Sequence, residues 1–347
     1  MKYFIKITLL VLSISIFVCC GDDNENSNAL FAIKIENSKK TYQQEDELSL
    51  QITNKKNKPI ENVAYAIDEG ETMESNTLSL SKVKMGKRTL RAFITSEGKT
   101  YEVANLITVT ASTPPILYGY EVLERFPHDI EAYTQGLEFY GDTLYESTGQ
   151  KTRSSLRKTN YKTGEVLQKV DLNAQYFGEG LTILNDKIYQ LTWRENTGFI
   201  YDLKTLERKG SFVYNKSKEG WGLCNDGNKI YKSDGTEKIW TLNPNNLAEE
   251  DFIEIYTHKR VIDNVNELEW VDGKIYANIY QKDAIAIVNP SSGAVEGVIN
   301  LKGLQAEVLQ HTTLDVLNGI AYKDEPNILY VTGKNWDTMF KIKVVEK

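Results

Sequence analysis

Tyr176-Phe177-Gly178-Glu179-Gly180-Leu181 opens a short apolar run that turns at Asn185-Asp186 and returns as Lys187-Ile188-Tyr189-Gln190-Leu191-Thr192-Trp193. The pattern occurs five times. It pairs Gln135-Gly136-Leu137 with Leu144-Tyr145, Glu179-Gly180-Leu181 with Ile188-Tyr189, and Trp221-Gly222-Leu223 with Ile230-Tyr231. The last two copies are Asn266-Glu267-Leu268 with Ile275-Tyr276 and Asn318-Gly319-Ile320 with Leu329-Tyr330. The leading position advances by 44, 42, 45 and 52 residues. Repeats of this length built from short strands read as blades of a β-propeller, about four strands to a blade. Five copies predict five blades.

The leading position holds Gln135, Glu179, Trp221, Asn266 and Asn318. With the first strand of each blade innermost, these side chains ring one mouth of the central channel. A hairpin returns to the face it left. Gly149, Trp193, Gly235, Tyr280 and Lys334, each four residues beyond a repeated Tyr, therefore belong to the same mouth. One carboxylate, one ammonium, three amides and several aromatic rings converge there, which suits a ligand pocket. Glu267 reads as a turn residue.

Composition agrees with an all-β chain. Aromatic residues make up 10% of the 347, and 20 are Tyr recurring at strand positions. The net charge of −7 argues against a nucleic-acid partner, which would need a basic face. Cys19 and Cys20 fall in the leader, so Cys224 has no internal disulfide partner and reads as a small buried hydrophobe. His128, His258 and His311 are far apart and show no metal-ligand spacing. No metal and no cofactor are expected, and the chain is expected to act as a monomer.

Residues 1–20 carry Lys2 and Lys6 before an apolar run over 7–18, too short to span a bilayer and laid out as a signal peptide. The run ends at Val18-Cys19-Cys20-Gly21, which resembles a bacterial lipoprotein signal with Cys20 as the lipidated residue. That implies a lipid-anchored protein of the cell envelope; the alternative is an ordinary cleaved signal with incidental Cys. Residues 21–28 are polar and read as a flexible tether. Residues 29–112 alternate in roughly seven short strands, which predicts an immunoglobulin-like β-sandwich. Thr113-Pro114-Pro115 is a stiff linker, and 113–347 holds the propeller. Residues 118–126, before the first repeat, alternate like a strand and are expected to close the ring as the outer strand of the fifth blade. The insert at 304–314 is expected to form a short helix.

Several strings also resemble the plant and bacterial type of glutaminyl-peptide cyclotransferase. They include Phe126-Pro127-His128-Asp129, Thr134-Gln135-Gly136-Leu137, Tyr176-Phe177-Gly178-Glu179-Gly180-Leu181-Thr182, Gly220-Trp221-Gly222-Leu223, Asn266-Glu267-Leu268-Glu269 and Val331-Thr332-Gly333-Lys334. The resemblance covers nearly all of 118–345 and none of 1–112. It implies a five-bladed propeller that closes an N-terminal glutamine of a peptide or protein into pyroglutamate with loss of ammonia. It places the proton-shuttling carboxylate on Glu179. The aromatic pocket falls on Trp193 and Trp221, with Tyr133 where the plant enzyme has Phe. Polar contacts fall on Gln135, Asn266 and Lys334. Tyr280 stands where the plant enzyme has Trp, which keeps a ring but shortens it and adds a hydroxyl.

The implied chemistry is sound for these residues. The nucleophile lies inside the substrate, so folding the side chain gives ring closure a large proximity advantage. One carboxylate lifted toward neutrality by apolar walls can take the proton from the amine and give it to the leaving nitrogen. Lys334 or Asn266 can meet the charge developing on the amide oxygen. A second reading stays open, in which the propeller is a non-catalytic scaffold displaying this mouth to a peptide or sugar. The leader reading has its own test. Cys20→Ser should abolish lipid attachment and shift the protein into the soluble fraction; continued membrane association would show that the anchor lies elsewhere.

Overall fold

A computed structural model describes residues 26–347; the leader with Cys20, and the first part of the tether, lie outside the described residues. The end of the tether is not free. Asn26 accepts a hydrogen bond from the Asn28 N–H and caps a single helical turn, Ser27–Leu30, whose Leu30 is buried.

Two sheets follow. Phe31–Ile35, Glu47–Asn54 and Thr77–Ser79 form one of three strands. Tyr42–Gln43, Lys99–Thr110, Gly86–Ser96 and Asn62–Ile67 form one of four. Alternation sends every second side chain to one face. Phe31, Leu48 and Leu50 from the first sheet thus share a core with Leu90, Ile94 and Val103 from the second.

The remainder is all-β and built on the repeat. Thr134–Tyr140, Thr143–Thr148, Ser155–Thr159 and Val166–Asp171 make a four-stranded antiparallel sheet in chain order. The next three copies do the same, led by Gly178–Leu184, Leu223–Asn225 and Val265–Val271. The fifth copy supplies Leu317–Ala321, Ile328–Gly333 and Thr338–Glu346. Its fourth strand is Ile116–Pro127, paired antiparallel from Pro127 opposite Thr338 to Tyr118 opposite Glu346. The segment before the first repeat thus completes the last sheet, as the alternation of 118–126 suggested. Ile116, Leu117 and Tyr118 also pair in parallel with Val295–Asn300, which fuses the fourth and fifth sheets into one of eight strands. A parallel pair needs no turn between its strands, so no local sequence signal announced it.

The leading strands touch one another in sequence, and Leu317–Ala321 returns to touch Thr134–Tyr140. This close approach explains the repeated Gly-Leu. A Cβ on Gly180 would lie 2.6 Å from Gly222 Cα, and one on Gly222 would lie 2.2 Å from Asn266 O. Only glycine fits such a contact. The fourth copy carries Glu267 at this position, and here the turn-residue reading is corrected. Glu267 is buried, and its carboxylate accepts the Ile320 N–H at 3.0 Å and the Leu137 N–H at 3.4 Å. It fastens strands of the first and fifth copies across the centre. Burial pushes its carboxyl well above the usual range.

The insert is also less helical than expected. It holds one 3₁₀ turn, Leu304–Glu307, and the chain is already extended at Val308. Leu304 and Val308 are buried in the last core. The Gln310 side chain donates to Gln305 O and Val308 O, carbonyls that a longer helix would have used.

The two parts of the chain meet at a built interface. Met85 packs with Ala111 and Tyr256. Arg88 Nη2 donates to Glu254 Oε2 at 3.1 Å, with both side chains 11% exposed. Burial raises the Glu254 carboxyl and the Arg88 charge opposes that rise. Arg88→Ala would leave the carboxylate buried without its partner, a change that costs about 3 kcal/mol in comparable pairs. A urea titration of the full chain should show that loss; an unchanged midpoint would mean that the pair does not hold the two parts together.

Candidate active site

The leading residues of four copies sit where their strands are irregular. Pairing skips Gln135 between Gly136–Ser147 and Thr134–Thr148. Two residues oppose one around Glu179, around Asn266 and around Asn318. Each is a β-bulge, which bends the strand and re-aims a side chain. In the third copy Trp221 precedes its strand, and its N–H donates to Ser233 O. The four bulges and the Trp221 segment aim side chains toward one end of the cycle of strands.

There they open on a cavity of about 330 Å³. Of the nine side chains expected at the mouth, eight line it: Glu179, Lys334, Tyr133, Gln135, Trp193, Trp221, Asn266 and Tyr280. Phe177, Arg194 and Glu219 line it as well and were not anticipated. The repeat held a signal for two of them. Tyr133, Phe177 and Glu219 each stand two residues before a leading position, so they share a register. Asn318 does not line the cavity but supports it from behind. A larger cavity of about 680 Å³ lies elsewhere, walled by Ile262, Ile279, Ala286 and Val295, with Lys259 and Arg260 exposed at its edge. Its lining also includes Thr257, His258, Asp263 and Lys282.

A chain of amides orients Glu179. Asn318 Nδ2 donates to Thr134 O at 2.9 Å and to Gln135 Oε1 at 3.1 Å. Gln135 is thereby turned so that its Nε2 donates to Glu179 Oε1 at 3.0 Å. Glu179 is 4% exposed. Burial pushes its carboxyl well above the ordinary range; Lys334 opposes the rise, and Glu219 and Glu195 add to it. Lys334 is lowered by burial, against the pull of Glu179 and Asp315. Its Nζ lies 4.9 Å from the Tyr133 ring centre and 5.2 Å from that of Tyr280, so two aromatic faces share the cation. Tyr133 donates its hydroxyl to Asp315 Oδ2 at 2.7 Å, and burial raises its phenol. Asn266 Oδ1 is buried beside the cavity with no hydrogen-bond partner among the described residues.

The walls are aromatic. Trp221 meets Tyr280 edge-to-face at 5.6 Å, and Phe177 contacts Trp193 at 5.5 Å and Tyr133 at 6.1 Å. Glu219 joins the two indoles: its Oε2 accepts Trp193 Nε1 at 2.7 Å and Trp221 Nε1 at 2.9 Å. Its Oε1 accepts Arg194 Nε at 2.8 Å. Burial works against the charge of Glu219, but donation from Trp221, Arg194 and Trp193 holds its carboxyl below the usual range. The cavity thus contains two carboxyls whose environments push them apart, one toward holding a proton and one toward staying ionised. Such divergence marks sites of proton transfer.

Gly149 and Gly235, expected at the mouth, serve as seats for rings. A Cβ on Gly149 would lie 2.4 Å from the Phe177 ring. At Gly235, where φ is +78°, it would lie 2.4 Å from the Trp221 indole. Gly235→Ala should therefore displace Trp221, shift the tryptophan emission and lower the thermal midpoint; an unshifted emission would show that the ring does not depend on that seat.

Comparison with known proteins adds three findings. A family model described as glutamine cyclotransferase matches residues 92–344. The chain is 42% identical over 229 residues to a glutaminyl-peptide cyclotransferase of Arabidopsis thaliana, covering 65% of this chain and 71% of that one. It is also similar to the crystal structure of Myxococcus xanthus glutaminyl cyclase, with a TM-score of 0.62 at 30% identity, over 67% of this chain and 99% of the other.

Proposed function

The chain belongs to the glutamine cyclotransferase family, and on that premise we propose that it closes N-terminal glutamine into pyroglutamate and releases ammonia. The observation that carries the reading is the buried Glu179, held by Gln135, facing Lys334 and walled by Trp193, Trp221 and Phe177. The site is an acyl-transfer site in which the substrate's own amine is the acceptor. A non-catalytic scaffold would not need a carboxyl lifted by burial and opposed by a single ammonium.

In this mechanism the glutamine side chain folds between the indoles, which places its α-amine nitrogen against its amide carbon. The neutral amine attacks that carbon. Glu179, ionised at this stage, takes a proton from the attacking nitrogen. Lys334, with the Asn266 amide nearby, meets the negative charge that gathers on the amide oxygen. The protonated Glu179 then returns its proton to the departing amide nitrogen as the C–N bond breaks. One C–N bond forms and one breaks, and no water is consumed. The raised Glu179 carboxyl suits this exchange, because a group that titrates nearer neutrality both accepts and donates readily.

The finer architecture follows from the same reading. We take the five sheets led by the repeated strands as a five-bladed propeller over 113–347. The two sheets before them are read as an immunoglobulin-like sandwich over 29–112. The leader over 1–20 is taken as a lipoprotein signal, anchoring the protein to a membrane of the cell envelope through Cys20 and the tether at 21–28. We assign catalysis to Glu179 and Lys334, and substrate binding to Tyr133, Gln135, Trp193, Trp221, Asn266 and Tyr280. In this reading the protein acts as a monomer on peptides or proteins beginning with Gln.

Glu179→Gln keeps shape and hydrogen bonding but removes the titrating proton. With a glutaminyl dipeptide, kcat should fall by about 10²–10⁴-fold, the usual worth of general acid–base catalysis, with little change in KM. For the unaltered chain, kcat/KM should rise as pH passes upward through the Glu179 titration, at a pH above the ordinary carboxylate range. Full activity of Glu179→Gln in a coupled ammonia assay would remove Glu179 from the proton path.

A further inference from the structure

Glu219 has no role in the mechanism above, yet it is the most heavily bonded side chain of the cavity. It touches both indole walls and the Arg194 guanidinium, which itself lies 3.7 Å above the Trp193 ring. The backbone beneath it is also unlike that of the other copies. In four copies the carbonyl two residues before the leading position accepts the N–H of the mouth residue on the returning strand. The pairs are Tyr133 O with Gly149 N, Phe177 O with Trp193 N, Asn264 O with Tyr280 N, and Val316 O with Lys334 N. In the third copy Glu219 O accepts instead from the ammonium of Lys232 at 2.8 Å.

Lys232 is fully buried and pairs with buried Glu249 at 3.2 Å. Glu249 Oε2 in turn accepts the Lys216 N–H at 2.7 Å and the Ser217 N–H at 3.0 Å. A buried ion pair is costly to desolvate unless its remaining hydrogen bonds are filled. Here they are filled by the segment that carries Glu219. The ion pair fixes that segment, and the segment fixes the carboxylate between two rings.

We propose that Glu219 is a positioning residue of the cyclisation: it sets the spacing of the Trp193 and Trp221 walls and places a permanent negative charge facing Glu179. The inference rests on the function proposed above. Both effects follow from one group. Indole nitrogens donate only, so an acceptor between them fixes both rings. A second ionised carboxylate disfavours charge on its neighbour. The other groups facing Glu179 are Lys334, which favours its charge, Glu195, which disfavours it, and the neutral Gln135, Tyr133 and Tyr214.

The test compares Glu219→Gln and Glu219→Asp in the full chain, using a glutaminyl dipeptide over a range of pH. Glu219→Gln turns an NH₂ group toward one of its three donors and removes the charge. Its kcat/KM should fall by about 10²-fold, the cost of misplacing groups in a well-ordered site, mainly through KM. The rising limb of its kcat/KM profile should move to lower pH, because a charge opposing Glu179 ionisation is gone. Glu219→Asp keeps the charge but shortens the reach; KM should rise while the limb stays near that of the unaltered chain. Tryptophan emission should shift in both. Unchanged KM, limb and emission in Glu219→Gln would overturn the proposal. So would a limb that moves equally in both variants, since position rather than charge would then be at work. If Glu219→Gln does not fold, the Glu219→Asp arm decides alone: an unraised KM overturns the proposal. An unaltered chain that forms no pyroglutamate at all would defeat the function itself, an outcome distinct from an active chain indifferent to Glu219.

Discussion

Close approach of the five leading strands is the constraint from which the site follows. Gly180 and Gly222 let neighbouring backbones come within the space of a missing methyl. Strands crowded so tightly cannot all keep regular pairing to their ends, and four of them are bulged at the leading residue. A bulge turns its side chain out of the alternating pattern. Gln135, Glu179 and Asn266 consequently meet at one end of the molecule although 131 residues separate the first from the last. Glu267 takes the one central position not given to glycine and ties two of the strands together through its carboxylate.

Electrostatics then divides labour within a small volume. Glu179 is shielded from water and accepts a hydrogen bond from the neutral Gln135 amide, so burial dominates its titration. Glu219 has three donors around it and stays ionised. Lys334 is held over two aromatic faces and makes no salt bridge within 4 Å among the described residues, which leaves its donors toward the cavity. A buried cation near a buried carboxyl keeps either from settling wholly into its neutral form. That balance is what a proton relay requires, because a carboxyl fixed in one state would serve only half of the exchange.

Much of this was legible in the sequence, and the reasons are particular. The repeat gave the leading position, and the leading position gave Gln135, Glu179, Trp221 and Asn266. The return of each hairpin gave Trp193, Tyr280 and Lys334. Tyr133 is implied by the family resemblance, while Phe177 and Glu219 share its register but differ in chemistry, so no repeated residue type marks that position. Arg194 follows a mouth residue, and only the packed geometry shows its guanidinium stacked on Trp193. Glu267 was misread because its neighbours in the alignment are glycines, and sequence does not say which strand a carboxylate crosses to. The parallel pairing at Ile116 and the Arg88–Glu254 contact join segments more than 150 residues apart, where no periodicity reaches.

In the proposed cyclisation an amine, rather than water, displaces the amide nitrogen, and isotopic oxygen tests that directly. The full chain is incubated with a glutaminyl dipeptide in water enriched in heavy oxygen, and the product is examined by mass spectrometry. Cyclisation should yield a pyroglutamyl dipeptide without heavy oxygen, formed together with one ammonia per molecule. A glutamyl dipeptide carrying heavy oxygen, or substrate returned unchanged, would contradict it.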